Sequence, residues 1–253
     1  MLISFLAFVF GTIFGSFFNV IIYRLPKNLS LVTPRSHCTN CEELIPFYRN
    51  IPIITYCLQM GKCHSCNQKI SIQYPIIELL TGLIFLYGLS LQDLSFSVYF
   101  ILISSIILIM SFIDYRTLSI PVKFIGLLYL ILIIRYFQYP EIIFDSIIGS
   151  FVCFAYLLIS LYSTKFIFKK DSPMGFGDIL FGIFIGGILG PINGLFAIFS
   201  SAIIMLLAAF SISIVRKEKV TDQKFPFIPS LSLGFIIFYI MSIESVEILS
   251  YFF

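Results

Sequence analysis

Eight apolar runs leave this chain few ways to fold. They cover residues 2–23, 75–92, 96–114, 119–137, 142–163, 175–192, 194–215 and 230–251. Each is close to the length of about 17–25 residues that crosses a bilayer as a helix. Of the 253 residues, 59% are hydrophobic and only 11% charged, whereas a soluble domain carries roughly a quarter charged residues. Backbone groups in hydrocarbon must be satisfied within the spanning structure, and continuous apolar runs achieve this as helices. The expected fold is an all-α polytopic membrane protein of about eight transmembrane helices, with the lipid bilayer as its first partner. No nucleic-acid partner is implied. No cleavable signal peptide is expected, because the first run can span and no small-residue cleavage site precedes Tyr23-Arg24.

The connections divide the chain unevenly. Residues 1–23 form the first span, 24–74 a large polar loop, and 75–253 a seven-span region. Gln92-Asp93-Leu94 and Gly190-Pro191-Ile192-Asn193 are short enough to mark hairpins. Orientation follows from lysine and arginine, which stay on the cytoplasmic side. The first loop holds Arg24, Lys27, Arg35, Arg49, Lys62 and Lys69, and the third holds Arg116 and Lys123. The fifth holds Lys165, Lys169 and Lys170, and the seventh Arg216, Lys217, Lys219 and Lys224. Of the 16 basic residues only Arg135 falls on the other side. Odd-numbered loops are therefore expected to be cytoplasmic, with both termini outside. Merging the sixth and seventh runs into one span would put the basic seventh loop outside, which argues against seven spans.

The first loop carries Cys38-Thr39-Asn40-Cys41 and Cys63-His64-Ser65-Cys66, two CxxC knuckles separated by 21 residues. Each knuckle supplies two thiolates from a tight turn, and the pair matches a tetrahedral four-cysteine zinc site. A loop of about 50 residues builds little core, so a structural metal supplies what burial cannot. Disulfide or redox use of the same cysteines is the competing reading, and a reducing cytoplasm weighs against it. His37 and His64 flank the knuckles, although four cysteines already complete a shell. Cys57 and Cys153 lack partners and read as small core residues.

Asp114 ends the third run and Asp178 stands near the start of the sixth. The topology brings both to the cytoplasmic side, about a turn inside the interface. A carboxylate at the edge of hydrocarbon is a functional hypothesis by default. Two at one depth suggest an aspartyl acid–base pair, in which like charges force one group to keep its proton. Gly175 and Gly177, in Gly175-Phe176-Gly177-Asp178, remove side chains so that backbone can approach a substrate closely. Asp93, Asp145, Glu244 and Glu247 read as solvated caps at span ends.

With these features in place, the chain resembles the type IV prepilin peptidases, the bacterial GxGD aspartyl proteases. The likeness runs along nearly the whole sequence. It includes Gly15-Ser16-Phe17-Phe18-Asn19-Val20, Tyr23-Arg24-Leu25-Pro26 and Arg35-Ser36-His37-Cys38. It continues through Asn50-Ile51-Pro52, Gly61-Lys62-Cys63 and Tyr74-Pro75-Ile76-Ile77-Glu78-Leu79. Ile113-Asp114 and Gly177-Asp178 match the two catalytic aspartates, 181–190 the glycine-rich helix, and Pro226-Phe227-Ile228-Pro229 a motif before the last span. Three positions depart from the pattern: Val122 follows Pro121, Leu180 stands where a lysine is common, and Thr39 replaces a proline. None of them removes a carboxylate or a thiolate.

The resemblance implies a bacterial inner-membrane endopeptidase acting on prepilins or pseudopilins. Their short basic leaders would be cut after a glycine that precedes a hydrophobic helix. It also implies N-methylation of the new amino terminus with S-adenosylmethionine, an activity associated with the zinc-bearing loop. No glycine-rich methyl-donor motif can be read, so the donor's contacts stay open. Two other readings compete. A presenilin-like protease would carry Tyr-Asp and Pro-Ala-Leu motifs, absent here. A proton-coupled transporter using the aspartates as a relay would favour midplane carboxylates and repeated halves.

Overall fold

The computed structural model describes residues 2–168, 175–216 and 225–250. Lys169, Lys170, Lys217, Lys219 and Lys224, which entered the orientation count, lie outside the described residues. The helices are α1 (Leu2–Arg24), α2 (Ile54–Leu58), α3 (Gln73–Gly88), α4 (Leu94–Thr117), α5 (Val122–Gln138), α6 (Ile143–Phe168), α7 (Phe176–Arg216) and α8 (Ile228–Ser250). The described residues include no strand, only the isolated bridges His37–Leu44 and Lys62–Lys69. Five helical segments are long and apolar enough to cross a membrane: Leu2–Lys27, Leu94–Thr117, Pro140–Phe166, Phe176–Ile214 and Ile228–Ser245. At 16 and 17 residues, α3 and α5 are shorter than those five. The chain is a multi-pass helical membrane protein.

The sixth and seventh apolar runs join in α7, which is 41 residues long but not straight. Gly190 has φ 76° and ψ −178°, and Pro191 follows it. Only glycine takes that conformation at little cost, and proline then removes a ladder donor. The limbs fold back on each other. A Cβ built on Gly194 would lie 3.1 Å from the Gly186 Cα, and one on Gly182 would lie 3.7 Å from Ile198 Cδ1. Thus α7 is a helical hairpin turned at the glycine–proline step.

The fold comprises two compact units, residues 1–109 and 110–253, and α4 contributes to both. In the first, α1 and α3 touch through small residues. A Cβ on Gly11 would meet the Thr81 carbonyl at 2.7 Å, and one on Gly15 would meet the Glu78 Cα at 2.6 Å. In the second, α6 lies against the α7 hairpin. A Cβ on Gly149 would fall 2.7 Å from the Gly190 carbonyl carbon, and Cys153 Sγ fills the niche beside Gly186 and Gly194. Lipid gives helices no hydrophobic reason to associate, so close backbone approach at small residues supplies the contact. The opposite faces stay apolar and exposed, as at Phe5 and Phe10 of α1 and at Phe199, Leu206 and Phe210 of α7. Patches of this extent suit lipid and not water.

Cys153 is fully buried, as its apolar context predicts, whereas Cys57 departs from the core reading. It lies exposed on α2, a helix of five residues that buries none of its own side chains. Asp93 acts as a cap: its Oδ1 accepts the Ser95 and Phe96 backbone N–H groups at 2.7 and 3.1 Å. Asp145 stands in the first turn of α6, and Glu244 is exposed on α8. The Glu247 side chain lies outside the described residues.

The packing at Gly186 has a direct test. Gly186→Val should lower the thermal unfolding midpoint in detergent, because a Cβ there meets Cys153 Sγ at 2.9 Å and overpacking costs about 1–3 kcal/mol. Gly126→Ala, where a Cβ meets nothing within 4 Å, should leave the midpoint unchanged or raise it slightly.

Candidate active site and metal centre

Asp114 sits in the last turn of α4 and Asp178 in the first turn of α7, both inside the second unit. They are 5% and 8% exposed, so water reaches little of either carboxylate. Burial of a carboxylate is costly unless donors meet it, and here helix N-termini provide them. Asp114 Oδ2 accepts the backbone N–H of Ile228, the first residue of α8, at 3.2 Å. Asp178 Oδ2 accepts the N–H of Gly175 at 2.9 Å, while the Asp178 N–H donates to the Gly175 carbonyl at 3.2 Å. Asp178, three residues after Gly175, thus supplies the acidic half of a capping box by reaching back to the Gly175 N–H. Both carboxylates therefore use N–H groups that a helix start leaves without intrahelical partners.

The glycines have distinct parts in this arrangement. A Cβ on Gly177 would lie 2.6 Å from Ile120 Cδ1, so the segment after α4 rests directly on the α7 backbone. A Cβ on Gly175 would lie 3.2 Å from Asp178 Oδ2, beneath the folded-back carboxylate. Leu118, at φ 51°, ends α4 sharply, and its N–H returns to the Asp114 carbonyl at 2.8 Å. A further clamp joins α4 to α8: Ser111 Oγ donates to Ser232 Oγ at 2.7 Å, and Ser232 Oγ donates to the Ile228 carbonyl at 2.7 Å. The Pro226–Pro229 motif thereby acquires a structural meaning, since it starts the helix whose first N–H serves Asp114.

The cysteines form a separate centre in the first unit. Cys38, Cys41, Cys63 and Cys66 place all four Sγ atoms within 4.8 Å of one another. Cys38 and Cys66 sulfurs are 3.8 Å apart, and those of Cys41 and Cys63 are 4.0 Å apart. A tetrahedron of thiolates about 2.3 Å from a zinc ion has edges of about 3.8 Å, so the cluster fits that ion. The two knuckles share one backbone design. The Cys38 N–H donates to the Glu43 carbonyl and the Cys63 N–H to the Gln68 carbonyl, at 3.0 and 2.8 Å. The Glu42 and Asn67 N–H groups return to the Cys38 and Cys63 carbonyls at 2.9 and 3.0 Å, and both residues have positive φ. Backbone N–H groups of Cys41 and Asn40 hold the Cys38 thiol well below its usual range, at about 6. The Gln68 N–H lowers Cys66 in the same way. Among the described residues the cluster is these four cysteines alone. His37 Nδ1 pairs instead with the Arg35 carbonyl at 3.0 Å.

Sequence reasoning assigned no part to three buried polar residues of the first unit. Glu78 accepts the Ile53 N–H at 2.7 Å and thereby holds a residue at φ 60°. Asn19 Nδ2 bridges the Gly15 and Tyr74 carbonyls at 3.2 and 3.1 Å. Arg24 donates to the Ser30 and Pro34 carbonyls at 2.9 and 2.6 Å. Arg24 and Asn19 tie the two ends of the cysteine loop to α1, and Glu78 ties its middle to α3. For Asn19 and Glu78 the available signal is a polar residue inside an apolar run.

Comparison with known proteins agrees with this arrangement of parts. Residues 9–91 match the Bacterial Peptidase A24 N-terminal domain, and residues 101–212 match the Type IV leader peptidase family. A type 4 prepilin-like proteins leader peptide-processing enzyme of Escherichia coli O78:H11 is 32% identical, over 90% of each chain. A prepilin leader peptidase/N-methyltransferase of Bacillus subtilis is 31% identical over 92% of each chain. One from Vibrio cholerae is 32% identical over 72% of this chain and 76% of its own length. No solved structure matches. The extent of these matches, across both units, establishes that the chain belongs to the type IV leader peptidase family.

Proposed function

We propose that this protein is a membrane aspartyl endopeptidase that removes the leader from type IV prepilins or pseudopilins, with Asp114 and Asp178 as its catalytic pair. The observation that carries the reading is the burial of two carboxylates in one compact unit, each met by an N–H at a helix start. One carboxylate, ionised, takes a proton from water as it attacks the scissile carbonyl. The other, protonated, donates to the carbonyl oxygen and then assists departure of the amine. Gly175 leaves room beside the Asp178 carboxylate where an extended peptide would approach, whereas Gly177 makes room for Ile120. The excess of lysine and arginine in the odd-numbered loops argues for the cytoplasmic face of the inner membrane, where a short basic leader ending in glycine would be cut. The transporter alternative gains no support, since the relatives carry leader-peptidase names.

The same chain is proposed to N-methylate the amino terminus that cleavage frees. S-adenosylmethionine, when bound, supplies a methyl group on a sulfonium. That methyl group would be electrophilic toward the amine that cleavage frees. Cys38, Cys41, Cys63 and Cys66 are proposed to hold one structural zinc ion. With four thiolates the shell is closed, so the ion organises the loop and activates no water.

Asp114→Asn and Asp178→Asn should each reduce prepilin cleavage by about a hundredfold or more, with the protein still inserted in the membrane. Asparagine keeps the volume but cannot accept the proton of the attacking water. Processing at a near wild-type rate by either variant would remove that residue from the pair.

Elemental analysis of the purified protein should find one zinc ion per chain, with the four thiols shielded from alkylation. Zinc-free protein with four reactive thiols would defeat the assignment. Cys63→Ser should cost methylation more than proteolysis, because metal binding and loop folding are coupled whereas helix packing anchors the aspartates. Mass spectrometry of processed pilin reads both activities in parallel, and equal losses would make the loop a general scaffold.

A further inference from the structure

An exposed apolar stripe on α1 leads into a cavity of the first unit. Leu6, Phe10, Ile13 and Phe17 are all exposed, and their alternating spacing of four and three residues puts them on one side of the helix. Val20 and Arg24 continue that spacing. Phe17, Val20 and Arg24 form one wall of a cavity of about 320 Å³, and Val32, Arg35 and Phe47 of the loop line it as well. Val32 and Phe47 are 82% and 80% exposed, so the rim is apolar and open. Such a rim suits hydrocarbon and not water. The charge inside is of one sign, since two arginines line the cavity and no acidic residue does. Depth decides what that charge meets. The 23 residues of α1 rise about 34 Å, slightly more than the roughly 30 Å of bilayer hydrocarbon. Arg24, the last residue of α1, therefore stands at the level of lipid headgroups. Its guanidinium is held by the Ser30 and Pro34 carbonyls, which orient it without cancelling its charge. Arg35 is exposed, and its side chain makes no hydrogen bond or ion pair among the described residues.

We propose that this cavity binds the headgroup of an anionic phospholipid, with the phosphate against Arg35 and one acyl chain along the stripe from Leu6 to Phe17. The free guanidinium fork of Arg35 pairs with phosphate oxygens through charge-assisted hydrogen bonds. Arg24 acts by its field, as a second fixed cation at the same depth. Basic pockets beside membrane helices hold anionic headgroups on this principle. The volume lies at the lower end of the range of about 300–1,000 Å³ found for small-molecule sites, which admits a headgroup and leaves the tails in the bilayer. A basic prepilin leader is repelled by the same two charges, so the cavity suits lipid better than that substrate segment. A lipid seated here fastens the loop to the membrane surface, since its tails stay with α1 while its phosphate holds Arg35.

The test is lipid titration of the full-length protein in detergent, read by native mass spectrometry. Phosphatidylglycerol should bind about tenfold more tightly than phosphatidylcholine, whose choline cancels the phosphate charge. Arg35→Gln should weaken phosphatidylglycerol by about five- to tenfold and leave phosphatidylcholine within about twofold. Lys69→Gln removes the same charge from the same loop, outside the cavity lining, and should change neither. Val20→Trp, which fills the cavity, should bring phosphatidylglycerol down to the level of phosphatidylcholine. The thermal unfolding midpoint shows whether each variant is folded. If Val20→Trp is not, the comparison of Arg35→Gln with Lys69→Gln decides alone, since the Arg35 side chain holds no backbone in place. No preference for phosphatidylglycerol, or an equal loss in those two variants, would overturn the site. Inorganic phosphate that displaces phosphatidylglycerol at equal concentration would make it a site for a free anion and not for lipid. An Arg35→Gln variant with unchanged lipid affinity and a raised KM for prepilin would give the cavity to the substrate and end the proposal.

Discussion

Lipid tails are as apolar as leucine, so helices inside a bilayer gain nothing by merely hiding apolar surface from one another. What joins the helices of the second unit is contact at positions without side chains, together with a few polar bonds that lipid cannot offer. Gly149 and Gly186 bring the α6 and α7 backbones together, and Ser146 Oγ donates to the Gly187 carbonyl at 2.6 Å across the same contact. Tyr129 of α5 donates to the Leu180 carbonyl at 2.9 Å on the other side of the α7 limb. These contacts hold the first limb of α7, and Asp178 stands at its start. The placement of one member of the proposed catalytic pair is thus a consequence of glycine packing one or two turns away.

The same constraint explains why both carboxylates lie beside helix N-termini. A membrane interior has few free donors, because nearly every backbone N–H is already committed to its own helix. The first turn of a helix is the exception. Asp178 closes its own first turn by accepting from Gly175, and Asp114 borrows the first N–H of α8. A pair built this way needs no arginine or lysine partner. It can therefore sit out of bulk water while both oxygens of each group are not consumed by ion pairs, which suits chemistry that shuttles protons between two carboxyls. It also makes the site depend on α4, α7 and α8 together, elements far apart in sequence.

Much of this was legible in the chain. Apolar runs marked helices, CxxC spacing predicted the sulfur cluster, and Gly190-Pro191 marked the reversal inside α7 correctly, because a single local rule governs each. A common depth for Asp114 and Asp178, which belong to one unit, followed from topology. Their donors did not, because the Ile228 N–H is contributed by α8, 114 residues away from Asp114. Cys57 was misplaced for a related reason. An apolar neighbourhood in sequence implies burial only where an element is long enough to have an inner face, and α2 is not. Glu78 and Asn19 lie in apolar runs and so met the criterion applied to the aspartates, but their partners sit on the loop and on the neighbouring helix. Only the fold discloses that they fasten the loop to its stem.

That fastening bears on how one chain can carry two reactions. Four thiolates leave a zinc ion no open coordination position, so the cluster can offer the second reaction order but no Lewis acid. The loop meets α1 and α3 at its stem. Arg24, Asn19 and Glu78 all stand at that stem, each buried and each bonded to loop or helix-end backbone. A metal-ordered loop clamped to a helix pair by three buried polar side chains can keep a fixed shape with almost no core of its own. Its stability is then set by the cluster and the clamps, while that of the aspartate site is set by helix packing in the other unit. Two activities with separate supports would be separable by changes confined to one unit.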